Sequence, residues 1–140
     1  MIGNVDDNVK NLVRRTEKAM YKGIKAVKPG KYLFEVGKII EKYINKFGYS
    51  IVRQYGGHGI GREFHEEPQV FHHFTTNNKI HLREGMTFTI EPMINMGSSY
   101  LVNTSQKDGW TVTTADGSLS AQFEHTILVT ADGVEILTKI

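Results

Sequence analysis

The sequence predicts an α+β fold in which two helices are followed by an antiparallel sheet. As far as residue 47, apolar residues recur at spacings of three, four and seven, which is typical of amphipathic helices. Beyond Gly48 they alternate with polar residues, which is typical of strands. Turn-forming pairs such as Asp132-Gly133 favour hairpin connections. No linker or internal repeat interrupts this order, so residues 1–140 are predicted to form a single domain.

The first helix is predicted over residues 6–27 and ends before Pro29-Gly30. Its apolar stripe comprises Val9, Leu12, Val13, Met20, Ile24 and Val27. Its N-cap candidates are Asp6, Asp7 and Asn8. The second helix is predicted over residues 33–47, where Gly48 suits the left-handed position just past its end. Its stripe comprises Leu33, Val36, Ile40, Tyr43, Ile44 and Phe47.

Residues 49–140 are predicted to be mainly sheet and loops. The alternating pattern predicts strands over residues 49–53, 86–91, 110–113, 121–129 and 134–137. Segment 56–61, in which four of six residues are glycine, is predicted to be irregular. Glu91 and Glu124 each stand on the polar side of a predicted strand, opposite its apolar side chains.

The composition excludes several classes of function. Hydrophobic residues make up 39% and charged residues 23% of the chain, as in an ordinary soluble globular protein. A net charge of +2 with scattered lysines gives no reason to expect a nucleic-acid partner. Without cysteine there is no disulfide and no thiolate metal site. The absence of a long apolar run and of signal-peptide character predicts no membrane association and a cytoplasmic location.

Glu91 and Glu124 are candidate metal ligands. Polar residues on neighbouring strands lie within several ångströms of each other. Two carboxylates that close repel, and both ionise only if a positive charge lies between them, which a divalent metal ion supplies. The alternative is that both side chains are solvated on an exposed face of the sheet.

Two histidines extend this candidate site. His58 lies between Gly57 and Gly59, which allow either close approach of the backbone to a ligand or a positive φ. An imidazole in that position is a candidate metal ligand, and a solvent-facing turn is the alternative. His65 follows seven residues later and can face the same cavity, with a purely structural role as its alternative.

Two other motifs are excluded. Gln69 stands where a zincin would have its second histidine, and Pro68 prevents a helix interior there. Arg62 stands where a dinucleotide fingerprint would have its third glycine. Three further histidines lack ligand spacing and are predicted to have structural roles, namely His72, His73 and His81.

Four segments occur in a specific order along the chain. They are GGHGIGREFHEEP at 56–68, TIEPM at 89–93, WTV at 110–112 and GSLSAQFEHT at 117–126. Together they resemble the type I methionine aminopeptidases of the pita-bread metallopeptidase superfamily, and the resemblance covers all 140 residues. It implies that the antiparallel sheet is curved and forms the second half of a pita-bread fold.

The resemblance implies a role for each candidate residue. His58, Glu91 and Glu124 would be metal ligands, and Glu124 would bridge two ions. Glu91 would also serve as general acid and base for the attacking water, and His65 would contact the scissile amide and stabilise the transition state. The complete family enzyme uses two divalent ions, and the donor set suits Co, Mn, Fe or Zn.

The resemblance also implies a substrate. Phe64 and Trp110 would line part of the pocket for a methionine side chain. The implied activity is removal of the N-terminal methionine from newly made proteins by metal-assisted hydrolysis. The expected partner is therefore a peptide or nascent protein that begins with Met.

In this family two pseudo-symmetric halves build one sheet, and the upstream half carries two aspartate ligands. No aspartate of this chain lies in a segment that matches the family segments carrying those two ligands. The aspartates are Asp6, Asp7, Asp108, Asp116 and Asp132. The chain is therefore expected to be the C-terminal part of such an enzyme, inactive alone, and either self-associating or dependent on the upstream half. Two alternatives are a half-domain that binds peptides or partner proteins without cleaving them, and a partial sequence of an ordinary longer enzyme.

Overall fold

The computed structural model describes residues 1–77 and 79–139 and begins with two helices. Helix α1 spans Asp7–Ala26, and helix α2 spans Phe34–Ile44 before a 3-10 turn at Asn45–Phe47. Both helices lie within the ranges predicted from the apolar stripes. Gly48 has φ 69°, the left-handed conformation expected just past the end of the second helix. Asp6 holds the N-cap position of α1, but its side chain forms no capping hydrogen bond.

Ten strands follow in the described chain, and neighbouring strands are antiparallel. The strands are β1 (Ser50–Ile51), β2 (Gly57–Gly59), β3 (Glu66–Val70), β4 (Thr87–Ile90), β5 (Met93–Asn95), β6 (Val102–Thr104), β7 (Val112–Thr114), β8 (Ser120–Gln122), β9 (His125–Val129) and β10 (Val134–Ile136). A five-stranded sheet has the order β10-β9-β4-β2-β3, and a three-stranded sheet has the order β1-β5-β8. Strands β6 and β7 form a separate pair.

Two of the segments that pass from one sheet to the other are only two residues long. Strand β4 belongs to the five-stranded sheet and β5 to the three-stranded sheet, with residues 91–92 between them. Strand β8 belongs to the three-stranded sheet and β9 to the five-stranded sheet, with residues 123–124 between them. Because β4 pairs with β9 and β5 pairs with β8, the two breaks lie opposite each other.

The prediction of one continuous strand over 121–129 is wrong at the second break, and the strand predicted over 86–91 ends one residue early, at Ile90. Glu91 and Glu124 lie between strands rather than within them. Pro92 has no N–H group for a ladder hydrogen bond, so β4 cannot continue through it as a paired strand. The alternation of side chains at 121–129 continues across the break, which is why the pattern resembles a single strand.

Several smaller differences concern the ends of strands. Segment 56–61 was predicted to be irregular, but its central residues form β2, which pairs with β3 on one side and β4 on the other. The register shifts between His58 and Gly59, so the pairing is regular only over a short length. The strands predicted at 49–53 and 134–137 are shorter than expected, and the one predicted at 110–113 begins at Val112.

The core lies between the helices and the two sheets. Helix α1 packs against α2 and against β4, β5 and β8. The largest fully buried side chains come from both helical stripes and from the apolar faces of the strands, and they include Leu12, Met20, Leu33, Ile40, Phe88, Ile94 and Ile127. In the described part of the chain, no helix is long and apolar enough to span a lipid bilayer.

Candidate metal centre

His58 lies at the centre of β2, and close packing requires the glycines on either side of it. A Cβ at Gly57 would collide with the carbonyl oxygen of Thr89, and a Cβ at Gly59 would collide with that of Glu67. Neither glycine has a positive φ. Of the two explanations offered by the sequence, close approach applies, and the backbones that approach are those of the neighbouring strands.

The His58 ring is held in a form that can bind a cation. Its Nδ1 lies 2.9 Å from the carbonyl oxygen of Gly59. A carbonyl oxygen only accepts hydrogen bonds, so Nδ1 donates to it, and the tautomer with its proton on Nδ1 has a lone pair on Nε2. Nε2 lies 3.6 Å from Oε1 of Glu91. The lone pair is therefore available beside a carboxylate.

His58, Glu91 and Glu124 converge at one place. Each offers a ligand atom, and these atoms all lie within 4.8 Å of one another. Glu91 is 9% exposed, so the alternative that both carboxylates are solvated is wrong for this residue. Glu124 is exposed. The breaks between the two sheets bring the carboxylates together, and β2 adds the imidazole from the side.

Both oxygens of the Glu91 carboxylate accept hydrogen bonds from the protein. The Thr89 hydroxyl donates to Oε1 at 2.7 Å, and Nε2 of Gln122 donates to Oε2 at 3.1 Å. Burial raises the pKa of Glu91, the hydrogen bond from Thr89 opposes that rise, and the negative charge of Glu124 adds to it. Glu91 therefore holds a proton more readily than an ordinary glutamate in the absence of a cation.

His72 contacts the backbone of Glu91, a role that sequence reasoning missed. It is 2% exposed, and its Nε2 accepts a hydrogen bond from the Glu91 N–H at 3.0 Å. Burial lowers the pKa of His72 to about 3, so the ring is neutral and can accept. The prediction of a structural role was incomplete, because this histidine supports a candidate ligand. Nothing in the spacing of His72 indicates this, since the contact depends on the break between β4 and β5.

The structure also brings Phe64 and His65 to the site. The rings of His58 and His65 have centroids 4.2 Å apart, those of Phe64 and His65 4.7 Å, and those of His58 and Phe64 5.7 Å. His65 is exposed, and Phe64 is 70% exposed. An exposed imidazole directly beside a candidate metal ligand can reach a bound substrate.

Trp110 does not join this group. It is 85% exposed, and it lies in the connection between β6 and β7, where its backbone N–H donates to Oδ1 of Asp108 at 3.0 Å. Within the described residues, no aromatic contact joins Trp110 to Phe64 or His65. The resemblance implies that Phe64 and Trp110 line one pocket, but in this structure both rings are exposed and lie apart.

Two other histidines make contacts of their own. His81 contacts the ring of Tyr32 at 4.1 Å between centroids, and its Nδ1 lies 3.2 Å from the carbonyl oxygen of Gly30. His125 follows Glu124 in the chain, and its Nε2 lies 3.2 Å from the Tyr21 hydroxyl. These contacts agree with structural roles.

The donor set fits a divalent metal ion. The imidazole nitrogen of His58 is a ligand of borderline hardness, and the carboxylate oxygens of Glu91 and Glu124 are hard ligands. The buried carboxylate has a desolvation cost that a cation would offset. Sets of this kind suit Mn, Fe, Co and Zn, so the residues alone do not select one metal.

Comparison with known proteins places the chain in a metallopeptidase family. Metallopeptidase family M24 matches residues 1–131, and the chain belongs to this family. The methionine aminopeptidase of Salmonella typhimurium is 58% identical over 127 residues, which are 91% of this chain and 47% of that protein. The methionine aminopeptidase of Rickettsia prowazekii is 52% identical over 137 residues, which are 98% of this chain and 52% of that protein. The chain thus spans about half the length of the curated relatives it matches.

Solved structures give the same result. The crystal structure of the methionine aminopeptidase from Rickettsia prowazekii superposes with a TM-score of 0.94 at 52% identity, covering 98% of this chain and 55% of that one. The prolidase from Pyrococcus furiosus superposes with a TM-score of 0.75 at 26% identity, covering 100% of this chain and 35% of that one. The α+β, pita-bread fold and the resemblance predicted from the four segments are confirmed.

Proposed function

We propose that this chain forms part of the catalytic centre of a metal-dependent methionine aminopeptidase, which removes N-terminal methionine from newly made proteins. One observation carries the proposal. His58, Glu91 and Glu124 converge within 4.8 Å in a member of a metallopeptidase family. The high identity to proteins named methionine aminopeptidase supports the choice of reaction and substrate.

The three converging side chains would hold a divalent ion, and the complete enzyme would use two. A bound divalent ion lowers the pKa of a coordinated water and orients it for attack on a peptide carbonyl. Three side chains are too few for two ions that each need four or more ligands. The proposal therefore places the remaining ligands outside this group.

Glu91 would move the proton during hydrolysis. Its buried position raises its pKa, so it can take a proton from the attacking water and deliver it to the leaving amine. His65 would donate a hydrogen bond to the scissile amide, because its exposed ring lies beside His58. Phe64 and Trp110 would contact the methionine side chain of the substrate, since both present exposed aromatic surface.

A chimera tests this function. The chain is joined to the N-terminal part of the Salmonella relative that the match does not cover, and methionine release from a Met-Ala-Ser peptide is measured with Mn²⁺ or Co²⁺. We expect turnover in the chimera, with a loss of about 10²-fold or more in Glu91→Gln. Glu84→Gln, which changes an exposed glutamate in the turn before β4, serves as the matched control.

Two results would contradict the proposal. A folded, metal-binding chimera without methionine release would exclude the reaction, and wild-type turnover in Glu91→Gln would exclude the role of that carboxylate.

His65→Ala should reduce turnover more than Co²⁺ affinity. If it instead weakens Co²⁺ binding while turnover per bound ion is unchanged, His65 is a ligand. The unfused chain should show far less turnover than the rate of roughly 1–1000 per second typical of enzymes.

A further inference from the structure

The Thr89 side chain lies between two of the candidate metal ligands. It is 1% exposed. Its Oγ1 lies 3.0 Å from the backbone nitrogen of His58 and 2.7 Å from Oε1 of Glu91. The carbonyl oxygen of His58 is farther away, at 3.5 Å. Among these contacts, only the two shorter ones have the geometry of strong hydrogen bonds.

The directions of these hydrogen bonds follow from the chemistry of the groups. A hydroxyl has one proton to donate and two lone pairs with which to accept. The backbone N–H of His58 can only donate, so Thr89 accepts there. A carboxylate can only accept, so the Thr89 proton goes to Glu91, and this charge-assisted bond is the shorter one. One buried hydroxyl thus connects the backbone of one ligand to the carboxylate of the other.

The local fold keeps this hydroxyl in place. Thr89 is β-branched, which restricts rotation about χ1. Its strand, β4, lies between β2 and β9 and cannot withdraw from either. Gly57 leaves the necessary space, since a Cβ there would come within 3.0 Å of Oγ1 of Thr89. The lack of a side chain at Gly57 therefore makes room for the Thr89 hydroxyl.

Two other groups restrain Glu91, and within the described residues neither of them forms a hydrogen bond to a second candidate ligand. Gln122 donates to the other carboxylate oxygen, and His72 accepts from the Glu91 N–H. Each carboxylate oxygen then has one protein donor and keeps a second lone pair for a cation. Within the described residues, Thr89 differs from Gln122 and His72 in contacting both His58 and Glu91.

We propose that Thr89 is a positioning residue that sets the separation and orientation of His58 and Glu91 before a divalent ion binds. This inference rests on the proposed metal site. Without the hydroxyl, the His58 N–H loses its acceptor and the Glu91 carboxylate loses its strongest donor. The two ligands would then have to be ordered at the moment of binding, which weakens affinity.

The test measures Co²⁺ affinity of the chain by calorimetry and by the visible absorption of the bound ion. Thr89→Val keeps the shape of the side chain and removes the hydroxyl, and it should weaken Co²⁺ binding about 10- to 100-fold. Thr89→Ser restores the hydroxyl and should return affinity to within about threefold of wild type. Thr87→Val is the matched control, because Thr87 lies on the same strand and donates to the Ile60 carbonyl rather than to a ligand. It should leave Co²⁺ affinity within about twofold of wild type.

A readout without metal accompanies the titration. Amide hydrogen exchange of His58, measured by NMR on the metal-free chain, should accelerate in Thr89→Val and remain slow in Thr89→Ser. If Thr89→Val does not fold, Thr89→Ser decides, and a tenfold or larger loss of affinity in that folded variant would overturn the inference. Unchanged affinity in folded Thr89→Val would also overturn it while leaving the metal site intact. If the wild-type chain alone does not bind Co²⁺, the same variants are compared in the chimera, and failure of the folded wild-type chimera to bind Co²⁺ would overturn both the metal site and the role of Thr89.

Discussion

Replacing Gly57 by alanine tests whether the close approach of β2 and β4 is essential to the site. The added Cβ would lie 3.0 Å from Oγ1 and 3.1 Å from the carbonyl carbon of Thr89, and it would overlap the carbonyl oxygen. Thr89 is buried, and β9 pairs with the far side of β4, so the strand has no room to move away. Overpacking of this kind costs about 1–3 kcal/mol, which is the expected decrease in the free energy of unfolding.

Urea unfolding of the chain measures this decrease, and a change in midpoint without a change in slope identifies a pure stability effect. Gly133→Ala is the matched control, because the nearest atom to its added Cβ is Oγ1 of Thr130 at 4.0 Å. That substitution should be neutral or stabilise the chain by about 0.4–1 kcal/mol. Gly57→Ala should also weaken Co²⁺ binding, since Thr89 is displaced. An unfolding free energy within about 0.5 kcal/mol of wild type would show that packing against β4 does not require this glycine.

Three further results are expected. His72→Ala should lower the free energy of unfolding by about 1–3 kcal/mol, because the Glu91 N–H loses its acceptor, and His72→Gln should recover part of this in urea unfolding; equal losses would contradict the role of the acceptor. In the metal-free chain the folded state holds the Glu91 proton more tightly than the unfolded state, whose pKa is near 4.5. The resulting stabilisation is present below that pH and is lost as pH rises through the pKa of folded Glu91. The difference in unfolding free energy between wild type and Glu91→Gln should therefore change over this pH window. If unfolding free energy plotted against pH gives parallel curves for the two proteins, the raised pKa does not belong to Glu91. In the chimera, Phe64→Ala and Trp110→Ala should raise KM for a Met-led peptide and leave Co²⁺ affinity unchanged; an unaltered KM in both would remove them from the substrate pocket.

The helices could be predicted from the sequence because they depend on local information. The stripe that contains Leu12 and Met20 is periodic within one helix, and those side chains are buried as expected. The spacing of His58, Glu91 and Glu124 leaves solvated alternatives open, and the expectation that they form a metal site comes from the resemblance of four segments to a known family.

The break beside Glu124 could not be predicted in the same way. Pro92 is a local signal that β4 ends, but side-chain alternation continues through residues 121–129 even though β8 and β9 belong to different sheets. Pairing with a distant strand decides where a strand changes sheet, and the alternating pattern at 121–129 contains no local signal of that change. His72 was missed for the same reason, since an N–H that lacks a ladder partner exists only once the break has formed.

The meeting of the two sheets at residues 91–92 and 123–124 has a thermodynamic consequence. At these positions the ladder that would otherwise continue from one sheet to the next is interrupted, so opening there requires the loss of few backbone hydrogen bonds. A cation held by His58 on one side and by the carboxylates of Glu91 and Glu124 on the other would resist that opening. Binding to the folded state alone contributes about 2.7 kcal/mol at a concentration one hundred times Kd. A divalent metal ion at this position would thus add to the coupling of the two sheets that α1 already provides through its contacts with β4, β5 and β8.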